Sequence, residues 1–229
     1  MPSSFKQKVV CFDLDDTLYK EIEYLFSGFR KVAETIEQRT GTRDVFRHMC
    51  QLRQEGENVF ETLEKECAGV VDKAEMLKIY REHQPSVSLS EGAEELLDSL
   101  KEKGCILGLI TDGRSVSQRN KIEALGLYRW FKNKDILISE EFGCEKPDER
   151  LYRYFEDRYP GCRHYYVGDN IEKDFVAPNR LDWETIGIRD IIGNNIHKDD
   201  LGSAEDGFMP RYVVNSIHAV GEIIMPSSK

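Results

Sequence analysis

Short unbroken apolar runs alternate along this chain with longer stretches whose apolar residues recur at helical spacing. Val9, Val10, Cys11 and Phe12 make the first run. It is short, carries β-branched residues and shows no polar alternation, which predicts a strand buried on both faces of a parallel sheet. Similar runs begin at Cys105 (CILGLI), Ile136 (ILI) and His164 (HYYV), and the stretches Glu184–Ile188 and Tyr212–Val214 are two further expected strands. Amphipathic segments lie between them. Ala93, Leu96, Leu97 and Leu100 form one apolar stripe, with Ser90 as the expected N-cap and Gly104 as the closing glycine. Helices are also expected from Ser115 to about Leu125 and from about Asp148 to Arg158. Strands alternating with helices imply βαβ units and an α/β fold with a parallel sheet.

One region breaks that alternation. From about Lys20 to Gln84 the pattern is helical, with no strand. Ile22, Leu25, Phe26, Phe29, Val32, Ala33 and Ile36 recur at helical spacing as far as the turn at Gly41. Asp44 is the expected cap of a second helix carrying Val45, Phe46 and Met49. Two more segments carry Val59, Leu63 and Cys67, then Ala74, Leu77, Ile79 and Tyr80, before Pro85 ends the block. A helical block straight after the first strand predicts a small bundle set over the sheet edge. The polar, Gly-rich stretch from about Asp190 to Pro210 is expected to be loop.

Composition narrows the possibilities. With 229 residues and 40% hydrophobic content, the chain can bury a real core as one large domain or a core plus an insert. The formal net charge of -10 disfavours nonspecific nucleic-acid binding and docking on anionic membranes, both of which need clustered Lys and Arg. No apolar stretch approaches the roughly 20 residues of a membrane span, and MPSSFKQKVV has no signal-peptide core. The six cysteines (11, 50, 67, 105, 144 and 162) include no CxxC pair, so a zinc cluster is not expected. Reduced thiols in a cytoplasmic protein are the simplest expectation.

Candidate chemistry gathers at strand ends. The first strand stops at Asp13, Asp15 and Asp16. Carboxylates crowded there repel one another, and a cation would turn that repulsion into coordination. Beside a phosphate-bearing substrate the suitable ion is Mg²⁺, which prefers oxygen ligands and keeps several waters. Thr111 ends the second strand, Lys146 follows the third, and Asp169 ends the fourth with Asp174 just beyond. Parallel α/β sheets bind ligands at this edge. These residue types, each at a strand end, suit one phosphoryl-transfer site.

In these residues the sequence resembles the haloacid-dehalogenase-like hydrolases, over nearly its whole length. The family's DxDxT motif is Asp13-Leu14-Asp15-Asp16-Thr17, its Thr or Ser after an apolar strand is Thr111 in LITDG, its Lys before Pro is Lys146, and its GDxxxxD runs from Gly168-Asp169 to Asp174. The resemblance implies a Rossmann-like core, residues 1–19 and 86–229, with an inserted all-helical cap, residues 20–85. It implies that Asp13 is the nucleophile and Asp15 the acid and base. The Asp13 and Asp169 carboxylates and the Asp15 carbonyl would hold Mg²⁺, with Asp174 close by. Thr111 and the Asp112 amide, with Gly113, would bind the phosphoryl group, and Lys146 would offset charge. In related capped enzymes the loop after the first cap helix reaches the site with a glycine and a basic residue, here Gly41 and Arg43. One departure lies after the fourth motif, where Leu181-Asp182 stands in place of an expected glycine turn.

The implied activity is Mg²⁺-dependent hydrolysis of a small phosphorylated metabolite by a monomer or small homo-oligomer. A sugar phosphomutase reaction would share these motifs, and a non-catalytic phosphate-binding module would be expected to lose Asp13, Asp15 or Lys146. A dehalogenase would not need Asp15, and no cap lysine is clearly placed for phosphonatase chemistry.

Overall fold

The computed structural model describes residues 7–67, 69–196 and 207–226. Six strands form one sheet: β1 (Lys8–Phe12), β2 (Ile106–Thr111), β3 (Ile136–Ile138), β4 (Arg163–Gly168), β5 (Glu184–Ile188) and β6 (Tyr212–Val214). Their order is 3-2-1-4-5-6, and every neighbouring pair is parallel. Four helices follow β1 directly: α1 (Glu21–Thr40), α2 (Val45–Gln54), α3 (Val59–Glu66) and α4 (Lys73–Glu82). The rest alternate with the later strands: α5 (Ala93–Glu102), α6 (Ser115–Ala124), α7 (Ser139–Phe142), α8 (Glu149–Arg158), α9 (Val176–Arg180) and α10 (Val220–Ile224).

The apolar run of β1 is explained by its central place. Val10 and Phe12 face a core shared with Leu97, Leu100 and Ile122 of α5 and α6. Val9 and Cys11 face the opposite core, with Leu151, Tyr152 and Phe155 of α8. From β1 the chain steps outward to β2 and β3, then returns to the far side of β1 for β4. The order therefore reverses at β1 and β4, and such a reversal opens a crevice beyond the strands' carboxyl ends. Phe12 lies opposite Leu109 and Val167, so the chain leaves the sheet at nearly the same level on three strands.

Helices α1 to α4 have a hydrophobic cluster of their own, built on Phe29, Val32, Ile36, Met49, Leu63 and Met76. They also touch the sheet domain through α6. Ser117 donates to the Arg81 carbonyl at 3.1 Å, and Asn120 donates to the carbonyls of Glu82 (3.2 Å) and His83 (3.1 Å).

Local details correct three expectations. Ser90 does not cap α5 with its side chain; its carbonyl accepts from Ala93 N–H at 2.9 Å, and Gly92 at φ 82 precedes the helix. Asp44 stands at the cap position of α2 but at φ 63, where the extended geometry that aims a capping side chain is lost. Glu37 accepts from Val45 N–H instead, at 2.9 Å. After the fourth motif, Asp182 takes φ 58, so a left-handed turn persists there without glycine. Trp183 closes it by donating to the Pro178 carbonyl at 2.9 Å. Of the stretch 190–210 expected to be loop, residues 197–206 lie outside the described residues. Among the described residues no helix is long and apolar enough to cross a membrane.

Candidate active site

β1 carries Asp13 into the crevice, where its N–H still pairs with the Val167 carbonyl at 2.9 Å. Beyond β4 the chain folds back on itself, and the Asp174 Oδ2 accepts from the N–H groups of Asp169 (3.1 Å) and Asn170 (2.9 Å). That return needs Gly168, because a Cβ there would lie 2.3 Å from Asp174 Oδ2. Lys146, from the segment before α8, bridges the two sides. Its Nζ lies 2.6 Å from Asp13 Oδ1 and 2.7 Å from Asp174 Oδ1, and it donates to the Tyr166 hydroxyl at 3.3 Å. Tyr166 in turn donates to Asp174 Oδ1 at 3.1 Å.

This cluster holds more negative than positive charge. Oxygens of Asp13, Asp169 and Asp174 lie within 4.8 Å of one another, and all three residues are buried. Burial, then the neighbouring Asp174 and Asp15, push the Asp13 carboxyl well above the usual carboxylate range, although Lys146 pulls against them. Burial, Asp174 and Asp13 do the same to Asp169. Burial opposes the charge on Lys146, but Asp13 and Asp174 outweigh it and hold the ammonium charged. One lysine against three carboxylates leaves about two charges uncompensated, the deficit a divalent cation would fill. Asp174 is already committed to Lys146, Tyr166 and two backbone amides. Asp13 and Asp169 are therefore the carboxylates better placed to coordinate. Thr17 steadies Asp169 Oδ1 at 3.3 Å, and Asn195 donates to its Oδ2 at 3.0 Å. The donor set is all oxygen and suits Mg²⁺.

Two residues further on, Asp15 has different surroundings. Its Oδ1 accepts from Lys121 Nζ at 2.6 Å and from the Tyr19 hydroxyl, and its Oδ2 accepts from Gln118 Nε2 at 2.8 Å. Burial pushes the carboxyl up, but Lys121, Gln118 and Tyr19 together outweigh burial and hold it below the ordinary value. Its side chain lies outside the carboxylate trio. Asp16 also borders the cleft and braces the loops, accepting from Glu21 N–H at 3.0 Å and Ile196 N–H at 2.9 Å.

A cleft of about 280 Å³ opens over these groups, lined by Asp13, Asp15, Thr111, Asp112, Gly113, Lys146 and Asp169, with Glu21 from α1. Thr111 Oγ1 accepts from Gln118 at 2.5 Å, which leaves its hydroxyl proton free to donate. Asp112 Oδ1 accepts from the Lys146 N–H at 3.0 Å, and its buried Oδ2 has Lys173 Nζ at 3.5 Å. The Gly113 N–H donates to Ser139 Oγ at 2.9 Å rather than into the cleft.

Gly41 and Arg43 are not brought to this cleft; both are exposed and neither lines it. The reason is length. α1 has 20 residues, so it carries the chain about 30 Å from Glu21 before the turn. α2 then returns, and Arg53 near its end, itself exposed and outside the cleft lining, is close enough to be felt at Glu21. Burial, then Asp15, push Glu21 up to about 7, while Lys121 and Arg53 oppose them.

Sequence reading missed Gln118, Lys121, Tyr19, Asn195 and Arg53. The first two had a legible signal. Gln118, Lys121, Ile122 and Leu125 fall on one helical stripe, and two polar residues at core-facing positions need partners. Asn195 lay in a stretch with no periodicity to read.

A doubly wound α/β sheet that gathers a strand-end aspartate, a buried lysine and a carboxylate loop at its crevice defines an enzyme for anionic chemistry rather than a binding scaffold. The model of one protein family, described as haloacid dehalogenase-like hydrolase, matches residues 10–188. The chain belongs to that family. It is 29% identical over 230 residues to a glyceraldehyde 3-phosphate phosphatase of Methanocaldococcus jannaschii, covering 95% of this chain and 96% of that one. It is 31% identical over 140 residues to a phosphoserine phosphatase of Thermus thermophilus, covering 58% and 55%. The fold is that of the magnesium-bound HAD-hydrolase YfnB of Bacillus subtilis, with TM-score 0.65 at 21% identity over 96% of this chain and 99% of that one.

Proposed function

We propose that this hydrolase is a Mg²⁺-dependent phosphatase of a small phosphate monoester, with Asp13 carrying the phosphoryl group. The observation that carries the reading is Asp13 itself. It ends a buried strand, 2.6 Å from Lys146, with Asp15 held separately two residues along. An Asp13 carboxylate oxygen forms a bond to phosphorus as the ester P–O bond breaks. The electron pair leaves on the ester oxygen, which takes a proton from Asp15; ionised in the free site, Asp15 enters this step protonated, having taken up one proton as the dianionic ester binds beside it. Water then attacks the phosphorus and yields a proton to Asp15 as the aspartyl–phosphate bond breaks, releasing inorganic phosphate. Thr111 donates to a phosphoryl oxygen, and Lys146 offsets charge on Asp13 and on the group being transferred. Asp13, Asp169 and the Asp15 carbonyl are the groups to hold Mg²⁺, with Asp174 fixing the loop and Lys146 beside them. When bound, the ion neutralises phosphoryl oxygens and relieves the carboxylate crowding.

Residues 20–85 act in this reading as a cap over a core of residues 1–19 and 86–229. α6 and the end of α4, which are hydrogen-bonded to each other, are where the two parts join. The substrate is a small phosphorylated metabolite, and the named relatives make glyceraldehyde 3-phosphate and phosphoserine the first two compounds to try.

The test is phosphate release with Mg²⁺ across a panel of phosphorylated metabolites that includes both, for wild type and Asp13→Asn. The wild type is expected to turn over at least one compound, and a folded Asp13→Asn to lose roughly 10⁴-fold or more. A folded Asp13→Asn that keeps wild-type turnover would remove Asp13 from the mechanism.

A further inference from the structure

We infer that Gln118 and Lys121 of α6 are positioning residues for Asp15, required where a poor leaving group must be protonated. The inference rests on Asp15 being the acid–base group. Three donors converge on that carboxylate: Lys121 Nζ at 2.6 Å, Gln118 Nε2 at 2.8 Å and the Tyr19 hydroxyl. Both oxygens are engaged, so the side chain has one orientation. Gln118 also donates to Thr111 Oγ1 (2.5 Å) and to the Asp112 carbonyl (3.0 Å), which ties Asp15 to the phosphoryl-binding end of β2.

Lys121 is an expensive way to fill this space. It is 4% exposed, its Nζ lies 4.3 Å from the Tyr24 ring centre, and Tyr19 lies beyond. A buried ion pair is often no more stable than well-packed apolar residues of similar volume, so stability gives little reason for a lysine here. Geometry gives a better one. Gln118 and Lys121 are three apart and share the face of α6 toward Asp15. Ser117 and Asn120, on the neighbouring face, fix the helix to the carbonyls of Arg81, Glu82 and His83. α6 is thus held on one side by the end of α4 and holds the acid–base carboxylate on the other.

The step affected is the first. The Asp13 oxygen bonds to phosphorus, the ester P–O bond breaks, and the departing oxygen receives the Asp15 proton. A nitrophenolate leaves without that proton, whereas an alkoxide needs it. p-Nitrophenyl phosphate and p-nitrobenzyl phosphate differ by one methylene and separate the two cases. kcat/KM for each reports steps up to the breaking of the ester bond, so the later hydrolysis does not blur the comparison.

Lys121→Met is expected to lower kcat/KM on the benzyl ester about 100-fold, and on the phenyl ester at least tenfold less than that. Gln118→Met should shift the same ratio in the same direction by less, and it keeps the test alive should Lys121→Met fail to fold. In an Asp15→Asn background, Lys121→Met should add no further loss of selectivity, because its effect passes through Asp15. Equal losses on both esters, or a second loss on top of Asp15→Asn, would overturn the positioning role while leaving Asp15 in place. An Asp15→Asn protein that spares the benzyl ester would instead remove Asp15 as the acid, and the inference with it.

Discussion

Asp13, buried, and Asp15, half-buried, are two residues apart, and each lies 2.6 Å from a buried lysine. Their carboxyls nevertheless move in opposite directions, Asp13 well above the usual range and Asp15 below it. The lysines do not explain the difference; the company does. Beside Asp13, burial is reinforced by Asp174, and Asp169 stands in the same cluster. Beside Asp15, the Gln118 amide and the Tyr19 hydroxyl add to Lys121, and these donors outweigh burial. One side is short of positive charge and the other is balanced. In the proposed reaction the unbalanced side takes the cation and the dianionic phosphoryl group, and the balanced side holds an ionised carboxylate in the free site, which takes up its proton when that phosphoryl group binds beside it.

The widest contrast should come from removing each lysine in turn. Lys146→Met strands Asp13 and Asp174 together, and metal-free protein should lose about 3–5 kcal/mol of stability. Lys121→Met leaves Asp15 with two donors and should cost clearly less. Urea unfolding of both variants in chelator measures this, and equal losses would mean that the two clusters are balanced alike.

Glu21, where α1 begins at the edge of the cleft, gives a smaller effect with a definite sign. Its folded carboxyl is pushed up to about 7 from an ordinary 4.5, by burial and then by Asp15. Between those values the folded state holds a proton that the unfolded state has released. The stability contribution is complete below pH 4.5 and falls as pH rises toward 7, by up to about 3 kcal/mol. Glu21→Gln should flatten that slope in unfolding measurements across the interval. A slope identical to wild type would place the proton elsewhere.

The arginines of α2 and of the turn before it should give the smallest effect. Arg53→Ala is expected to raise KM about tenfold on the best metabolite with little change in kcat, since it removes binding common to ground and transition states. Arg43→Ala, at the far end of α1, should match wild type. The reverse pattern would show that the Gly41 turn reaches the cleft after all.

How much of this was legible follows from where each residue stands. Asp13, Thr111, Lys146, Asp169 and Asp174 sit at or just beyond the ends of apolar runs, and a parallel sheet brings all such ends to one edge. All six strands could be found for the same reason, even β3 with its three residues. Arg53 and Arg43 were not separable, because helical periodicity says which face is apolar but not which end of a two-helix hairpin points at the sheet. Asn195 depends on a loop whose course is set by Asp190, which accepts from the N–H groups of Gly193 (3.0 Å) and Asn195 (2.8 Å), and no pattern in the chain announces that. Lys121 was legible in principle as a charge on an apolar stripe, but its partner could be named only once α6 was seen beside β1.

Magnesium binding without substrate tests the charge imbalance most directly. Calorimetric titration of metal-free wild type with Mg²⁺ should show one saturable site and a rise in Tm. Asp169→Asn, which removes one carboxylate charge from the crowded side, should weaken binding at least about tenfold. Asp15→Asn, on the balanced side, should change it much less. No binding by the wild type, or equal affinities in all three proteins, would contradict a cation site at Asp13 and Asp169.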